Sequence, residues 1–183
     1  SDFRLRLLNL GSDIPPREYG IDWKNLDVTV RVVRIHDLTF GGGRVSCDVK
    51  DISAIERSGY DILTMSGKAT LEKGRTSVHD LSIQDKWSDI RMTEYSMEYS
   101  DATSFSNYID EVVMTGLIHD SKVDFKSLSY FAPSLRRMKS TVCLKMAEVR
   151  GPVKDLTIKS FDFTEKNSDV SGLIDGRLSG LPS

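Results

Sequence analysis

Leu26-Asp27-Val28-Thr29-Val30-Arg31-Val32 alternates apolar and polar side chains without interruption. A period of two is typical of a β-strand with one buried face, because successive side chains point to opposite faces. The phase then slips so that Val33 and Ile35 become the apolar positions, which predicts a β-bulge.

The same alternation continues along the chain. Val45 to Val49 follow the Gly41-Gly42-Gly43 turn, and further apolar alternations separated by turn residues continue to Leu178. Roughly a dozen strands are expected on this basis. The sequence therefore predicts an all-β fold with a large antiparallel meander.

Two short helices are expected between the strands. Residues 104–113 begin with a capping Ser and carry apolar side chains at spacings of three and four. Residues 127–138 contain Pro133, which predicts one or two short helical turns around a break. Neither helix is long enough to cover so large a sheet.

An internal repeat of apolar, any, Asp, Leu, Ser/Thr, apolar runs through the chain. It occurs at residues 35–40, 78–83 and 153–158, with a looser copy at 125–130. Repeats of this kind indicate sheet units that cannot bury their apolar faces alone.

Bulk composition excludes several classes of function. The 183 residues carry 25 basic and 27 acidic side chains, a formal net charge of -2, so neither nucleic acid nor an acidic membrane surface is expected as a partner. No apolar run is long enough to cross a bilayer. Residues 1–183 are expected to form a single elongated segment of a larger protein, with 1–21 as a leading strand and linker.

The candidate catalytic groups do not form a known constellation, so no enzyme, metal or cofactor is expected. His36 and His79 fill a repeat slot that also accepts Lys154, which indicates a solvent-facing strand position. His119 and Asp120 are expected at a turn. Cys47 and Cys143 are interpreted as small buried side chains, with a single disulfide as the alternative.

Because the helices are too few, the apolar face must pack on itself or line an open groove. Apolar side chains would line such a groove. The candidate lining residues are Val28, Val30, Leu38, Phe40, Val45, Val49, Leu63, Met65, Leu81, Ile83, Met92, Met97, Leu144, Met146, Leu156 and Ile158.

Several phrases of the sequence resemble one known family. Residues 22–26, the repeated Asp-Leu-Ser/Thr units, residues 128–133 and residues 171–182 are similar to the TamB family of the AsmA-like superfamily, in the versions found in Bacteroides-type bacteria. That resemblance implies a long curled antiparallel sheet in the periplasm, with a continuous hydrophobic groove that binds phospholipid acyl chains. It also implies a parent protein that is anchored in the inner membrane. It also implies phospholipid transport to the outer membrane and partnership, through regions outside this chain, with an outer-membrane barrel of the translocation and assembly module.

One alternative of a different class remains. A closed β-sandwich or solenoid could serve in adhesion or carbohydrate binding, with Trp23, Tyr60 and Trp87 lining an outer cleft. The exposed edges of a sheet fragment also favour an edge-to-edge dimer.

Overall fold

The computed structural model describes residues 3–6, 18–22, 25–166, 168 and 170–180. Ten antiparallel strands form one sheet, and each strand pairs with the next one along the chain. The strands are β1 Phe3–Arg6, β2 Asp27–Gly41, β3 Arg44–Glu56, β4 Asp61–Glu72, β5 Arg75–Asp85, β6 Asp89–Glu98, β7 Val113–Asp124, β8 Thr141–Gly151, β9 Asp155–Glu165 and β10 Ser171–Ser179. The predicted all-β, curled antiparallel sheet is confirmed, and the sheet is not closed.

The described residues form ten strands, fewer than the dozen expected from the full sequence, and β9 shows one reason. Leu156 with Ile158, and Phe161 with Phe163, alternate in different phases, which alternation alone would divide into two strands. They belong to one strand, in which Ser160 has a φ of 51° and shifts the register between the two pairs. The predicted phase change after Val32 also coincides with register shifts in β2.

Left-handed bulges recur along the sheet at nearly constant spacing. Asp37, Asp80, Asp120 and Ser160 all have φ between 39° and 52°, and they lie 43, 40 and 40 residues apart. A positive φ is uncommon for residues with a Cβ, and Asp is among the residues that tolerate it best. The fold therefore repeats a bulge in β2, β5, β7 and β9.

This bulge repeat corrects the repeat predicted from sequence. The first two predicted copies contain Asp37 and Asp80, but in the third copy Asp155 starts a strand after a turn. The looser copy at 125–130 is helical. His119-Asp120, expected at a turn, lies inside β7 and is a bulge equivalent to His36-Asp37 and His79-Asp80.

The two predicted helical segments are present, and each begins two residues earlier than expected. A 3-10 helix at Ala102–Asn107 continues into α1 at Tyr108–Glu111, and Asp101 caps the segment in place of the expected Ser104. The second helix, α2, spans Phe125–Phe131, and a 3-10 helix follows at Pro133–Arg137. The break at Pro133 was correctly predicted.

Two buried clusters lie where α2 meets the sheet. Ile21, Tyr60 and Tyr130 form one cluster, with Trp87 and Phe131 packed against it. The second cluster comprises Val123, Val142 and Leu144, with partly buried neighbours that include Phe125 and Leu128 from α2. The core is therefore concentrated at the sheet end that joins β3 to β4, β5 to β6 and β7 to β8, which we call the α2 end.

The cysteines do not follow the sequence interpretation. Cys47 is partly buried, but Cys143 is exposed, and both are free thiols. Cys143 pairs with Lys122 and Thr164, which places it on the polar side of the sheet. The alternating pattern predicted a strand around residue 143, but it did not show on which face of the sheet the Cys143 side chain lies.

Candidate functional site

One face of the sheet is apolar from β3 to β10. Directly opposed residues in antiparallel strands point to the same face, so the register defines rows of neighbouring side chains. One continuous row comprises Cys47, Ala69, Val78, Tyr95, Gly116, Val149, Ile158 and Gly176. We call the side that carries this row the apolar face.

The opposite side, the polar face, carries hydroxyl and charged groups. The neighbouring row there comprises Thr39, Ser46, Thr70, Ser77, Ser96, Thr115, Arg150, Thr157 and Arg177. The Thr39 and Ser46 hydroxyl oxygens are 2.7 Å apart. The two faces thus differ chemically from β3 to β10.

Fourteen of the sixteen candidate lining residues fall on the apolar face by register or by alternation. They are Val28, Val30, Leu38, Phe40, Val45, Val49, Met65, Leu81, Ile83, Met92, Met97, Leu144, Leu156 and Ile158. Their binding role stays a prediction, because their position alone does not test it.

The other two candidates lie elsewhere. Met146 pairs with His119 and Asp162, so its side chain lies on the polar face and it is removed from the lining. Leu63 sits in the register shift between Ile62 and Thr64, so the pairing does not assign it to the apolar face. Each lies next to a bulge or register shift, where alternation read from sequence loses its phase.

The apolar face is open over β2 to β4. Phe40 is 74% exposed and Leu71 is 45% exposed, and Val33, Ile35 and Leu38 are exposed as well. By contrast, Leu81 and Leu144 are buried in the body of the sheet. Val33, Ile35 and Leu71 were not among the candidates, although the phase slip after Val32 could have identified the first two.

A buried polar network fixes α2 over one end of the apolar face. The Ser127 hydroxyl donates to Asp85 Oδ1 at 3.0 Å and accepts from the Ser88 hydroxyl at 2.8 Å. The backbone N–H groups of Trp87 and Ser88 also donate to Asp85 Oδ1, each at 2.7 Å. We call these groups the Asp85 network, and they supply hydrogen-bond donors to one oxygen of a carboxylate that is almost fully buried.

Aromatic hydroxyls fix the other helical segment over β6 and β7. The Tyr108 hydroxyl donates to Met114 Sδ at 2.9 Å and lies 3.3 Å from the Tyr95 hydroxyl. Burial raises the pKa of Tyr95 above its ordinary value, because a phenolate would lose its hydration there. Burial likewise raises the pKa of Tyr60 in the cluster of Ile21, Tyr60 and Tyr130, which we call the α2-end cluster. These groups act as neutral packing elements at neutral pH.

The histidines are distributed along the polar face. His36 pairs with Asp48, His79 pairs with Lys68 and Glu94, and His119 pairs with Arg91. His36 and His79 are exposed, as predicted. In the described part of the chain, no three His, Cys, Asp or Glu side chains are grouped to hold a metal ion.

Comparisons of the chain with protein-family models, curated proteins and solved structures gave no match. Among the described residues, none of the helices has the length and hydrophobicity that a bilayer-spanning helix requires.

Proposed function

We propose that this chain is a periplasmic segment of a TamB/AsmA-like bridge protein that carries phospholipid acyl chains along the apolar face. Its activity is physical, without chemical conversion of the lipid. The parent protein would be anchored in the inner membrane and would meet its outer-membrane barrel through regions outside this chain. Lipid transport and outer-membrane assembly then depend on the same sheet.

The observation that supports this proposal is an open sheet with one apolar face. Phe40 in β2 and Leu71 in β4 lie in one row, on either side of Val45, and project large apolar side chains into solvent. Contiguous exposed apolar surface marks a site of interaction with a protein, a membrane or a ligand. The polar face remains hydrated and gives such a sheet its solubility.

Acyl chains are suitable occupants because they gain from burial without requiring specific contacts. Each methylene removed from water contributes about 0.8 kcal/mol. Met65, Met92 and Met97 on the apolar face are flexible and polarisable, so they adapt to tails of different shape. A tail could slide along such rows while the head group stays in water.

The carbohydrate or adhesion alternative has less support. Tyr60 is buried and Trp87 packs against the same cluster, so neither forms an exposed aromatic platform. Trp23, the third aromatic of that hypothesis, lies outside the described residues. The sheet is also not closed into a sandwich.

Photocrosslinking at two leucines tests the proposal. Leu71 is on the apolar face, and Leu117, which is 39% exposed, pairs with Glu94 and Glu148 on the polar face. A benzophenone amino acid at position 71 should form phospholipid adducts in protein incubated with phosphatidylethanolamine vesicles, and at position 117 only background. Mass spectrometry of the adducts provides the readout. Lipid capture that is equal at both positions, or only protein capture at 71, would overturn it.

A further inference from the structure

A strongly basic segment follows the start of α2. Between Phe125 and Ala147 the sequence contains five basic side chains and no Asp or Glu, in a chain whose net charge is -2. The five are Lys126, Arg136, Arg137, Lys139 and Lys145, and all are exposed. Positive charge is thus gathered on α2, on the 3-10 helix that follows it, on the chain that leads into β8 and in β8 itself.

These cations have few partners within the protein. None of the five forms an ion pair in the part of the chain that the structure describes. Lys126 Nζ lies 4.4 Å from the centroid of the Trp87 ring, and the Arg136 guanidinium lies 4.3 Å from that of Tyr19. Contact with an aromatic ring orients the side chain of a cation, but it does not neutralise the positive charge.

Two carboxylates that contact this segment already accept hydrogen bonds from it. Asp124 accepts hydrogen bonds from the Lys126 N–H and the Thr141 hydroxyl, and Glu165 accepts one from the Ser140 hydroxyl. Glu18 is exposed beside Tyr19 and is a single negative charge. The basic side chains exceed the acidic ones on this surface.

The same segment is amphipathic. Tyr130 and Phe131 pack into the α2-end cluster, whereas the 3-10 helix that follows turns Arg136 and Arg137 to solvent. Met138, between Arg137 and Lys139, is 47% exposed. An apolar side chain among exposed cations is the composition that binds the interface of an anionic bilayer.

We propose that Arg136, Arg137, Met138 and Lys139 form a docking patch for the surface of an anionic phospholipid bilayer. The patch places the α2 end of the apolar face at the membrane. This inference rests on the proposed function for its purpose, since docking would bring the groove next to its supply of lipid. The occupant follows from charge complementarity, and Met138 enters the head-group region.

Vesicle co-sedimentation tests the patch. The protein should bind phosphatidylcholine vesicles that contain phosphatidylglycerol, and binding to phosphatidylcholine alone should be at background. Each cation near an anionic surface contributes about fivefold to binding, so R136Q/R137Q/K139Q should lower it on the order of 100-fold. The control K68Q/K73Q/K122Q removes the same charge from exposed positions elsewhere and should bind like the wild type.

Further measurements distinguish a specific effect on bilayer binding from loss of folding, from binding to any polyanion, and from failure of the lipid-carrying proposal. R136K/R137K keeps the charge and should retain binding, and circular dichroism should show a folded sheet in every variant. Equal binding to both kinds of vesicle, equal loss in the control variant, or binding to an RNA oligonucleotide as tight as to the vesicles would overturn the inference. Vesicle binding without lipid adducts at position 71 would support the docking patch and contradict the proposal that the apolar face carries lipid.

Discussion

At the scale of single residues, Gly67 shows how closely the sheet is packed at a bulge. It lies in β4 opposite the shifted register at Asp80 and Leu81, and its φ is 154°. A Cβ at this position would lie 2.6 Å from Val78 Cγ1 and 3.1 Å from the His79 carbonyl oxygen. A glycine inside a strand commonly marks such a close approach.

Replacing Gly67 with alanine should destabilise the fold by about 1–3 kcal/mol, because both the contact and the φ are unfavourable for a side chain. Urea unfolding measures the change. G176A is the matched control, since Gly176 lies in the same sheet and a Cβ there meets nothing within 4 Å. Equal stability of G67A and G176A would contradict the close approach.

Residues next to register shifts were the hardest to place from sequence. Met146 and Cys143 follow alternation within β8, but their faces depend on pairing with β7 and β9, which no local pattern specifies. Val28 and Phe40, in contrast, were assigned correctly to the apolar face by alternation alone. A period of two shows which side chains of a strand lie on the same face. Pairing with the neighbouring strands shows which face of the sheet that is.

At the scale of elements, α2 is held to the sheet by polar as well as apolar contacts. Asp85 accepts three hydrogen bonds through Oδ1, one of them from Ser127 in α2. These groups lie far apart in sequence, so neither Asp85 nor Ser127 stood out before the fold was known. The helix itself was predictable, because its break at Pro133 is local.

Removing the Ser127 hydroxyl should loosen α2, since Asp85 would lose one of its buried donors at a cost of about 1–3 kcal/mol. In S127A, amide hydrogen exchange should accelerate across residues 125–137 more than in the strands. S134A, at an exposed serine of the same segment, serves as the control. Unchanged exchange in S127A would show that apolar packing alone holds the helix.

At the scale of the whole molecule, the sheet presents two chemically distinct faces and is not closed. Sequence alternation was sufficient to predict this architecture, because the period of two persists through most strands. It was insufficient to show where the apolar face is covered, since α2 and the 102–111 segment reach it through contacts distant in sequence. The open region over β2 to β4 therefore became visible only in the fold.

The two native cysteines provide the most direct measurement of the central claim. Cys47 lies on the apolar face and Cys143 on the polar face, and both are free thiols. Monomeric lysophosphatidylcholine should slow alkylation of Cys47 by N-ethylmaleimide several-fold and leave Cys143 unchanged, as followed by mass spectrometry of each peptide. Alkylation rates that stay the same at both cysteines, or fall equally at both, would contradict an acyl-binding apolar face.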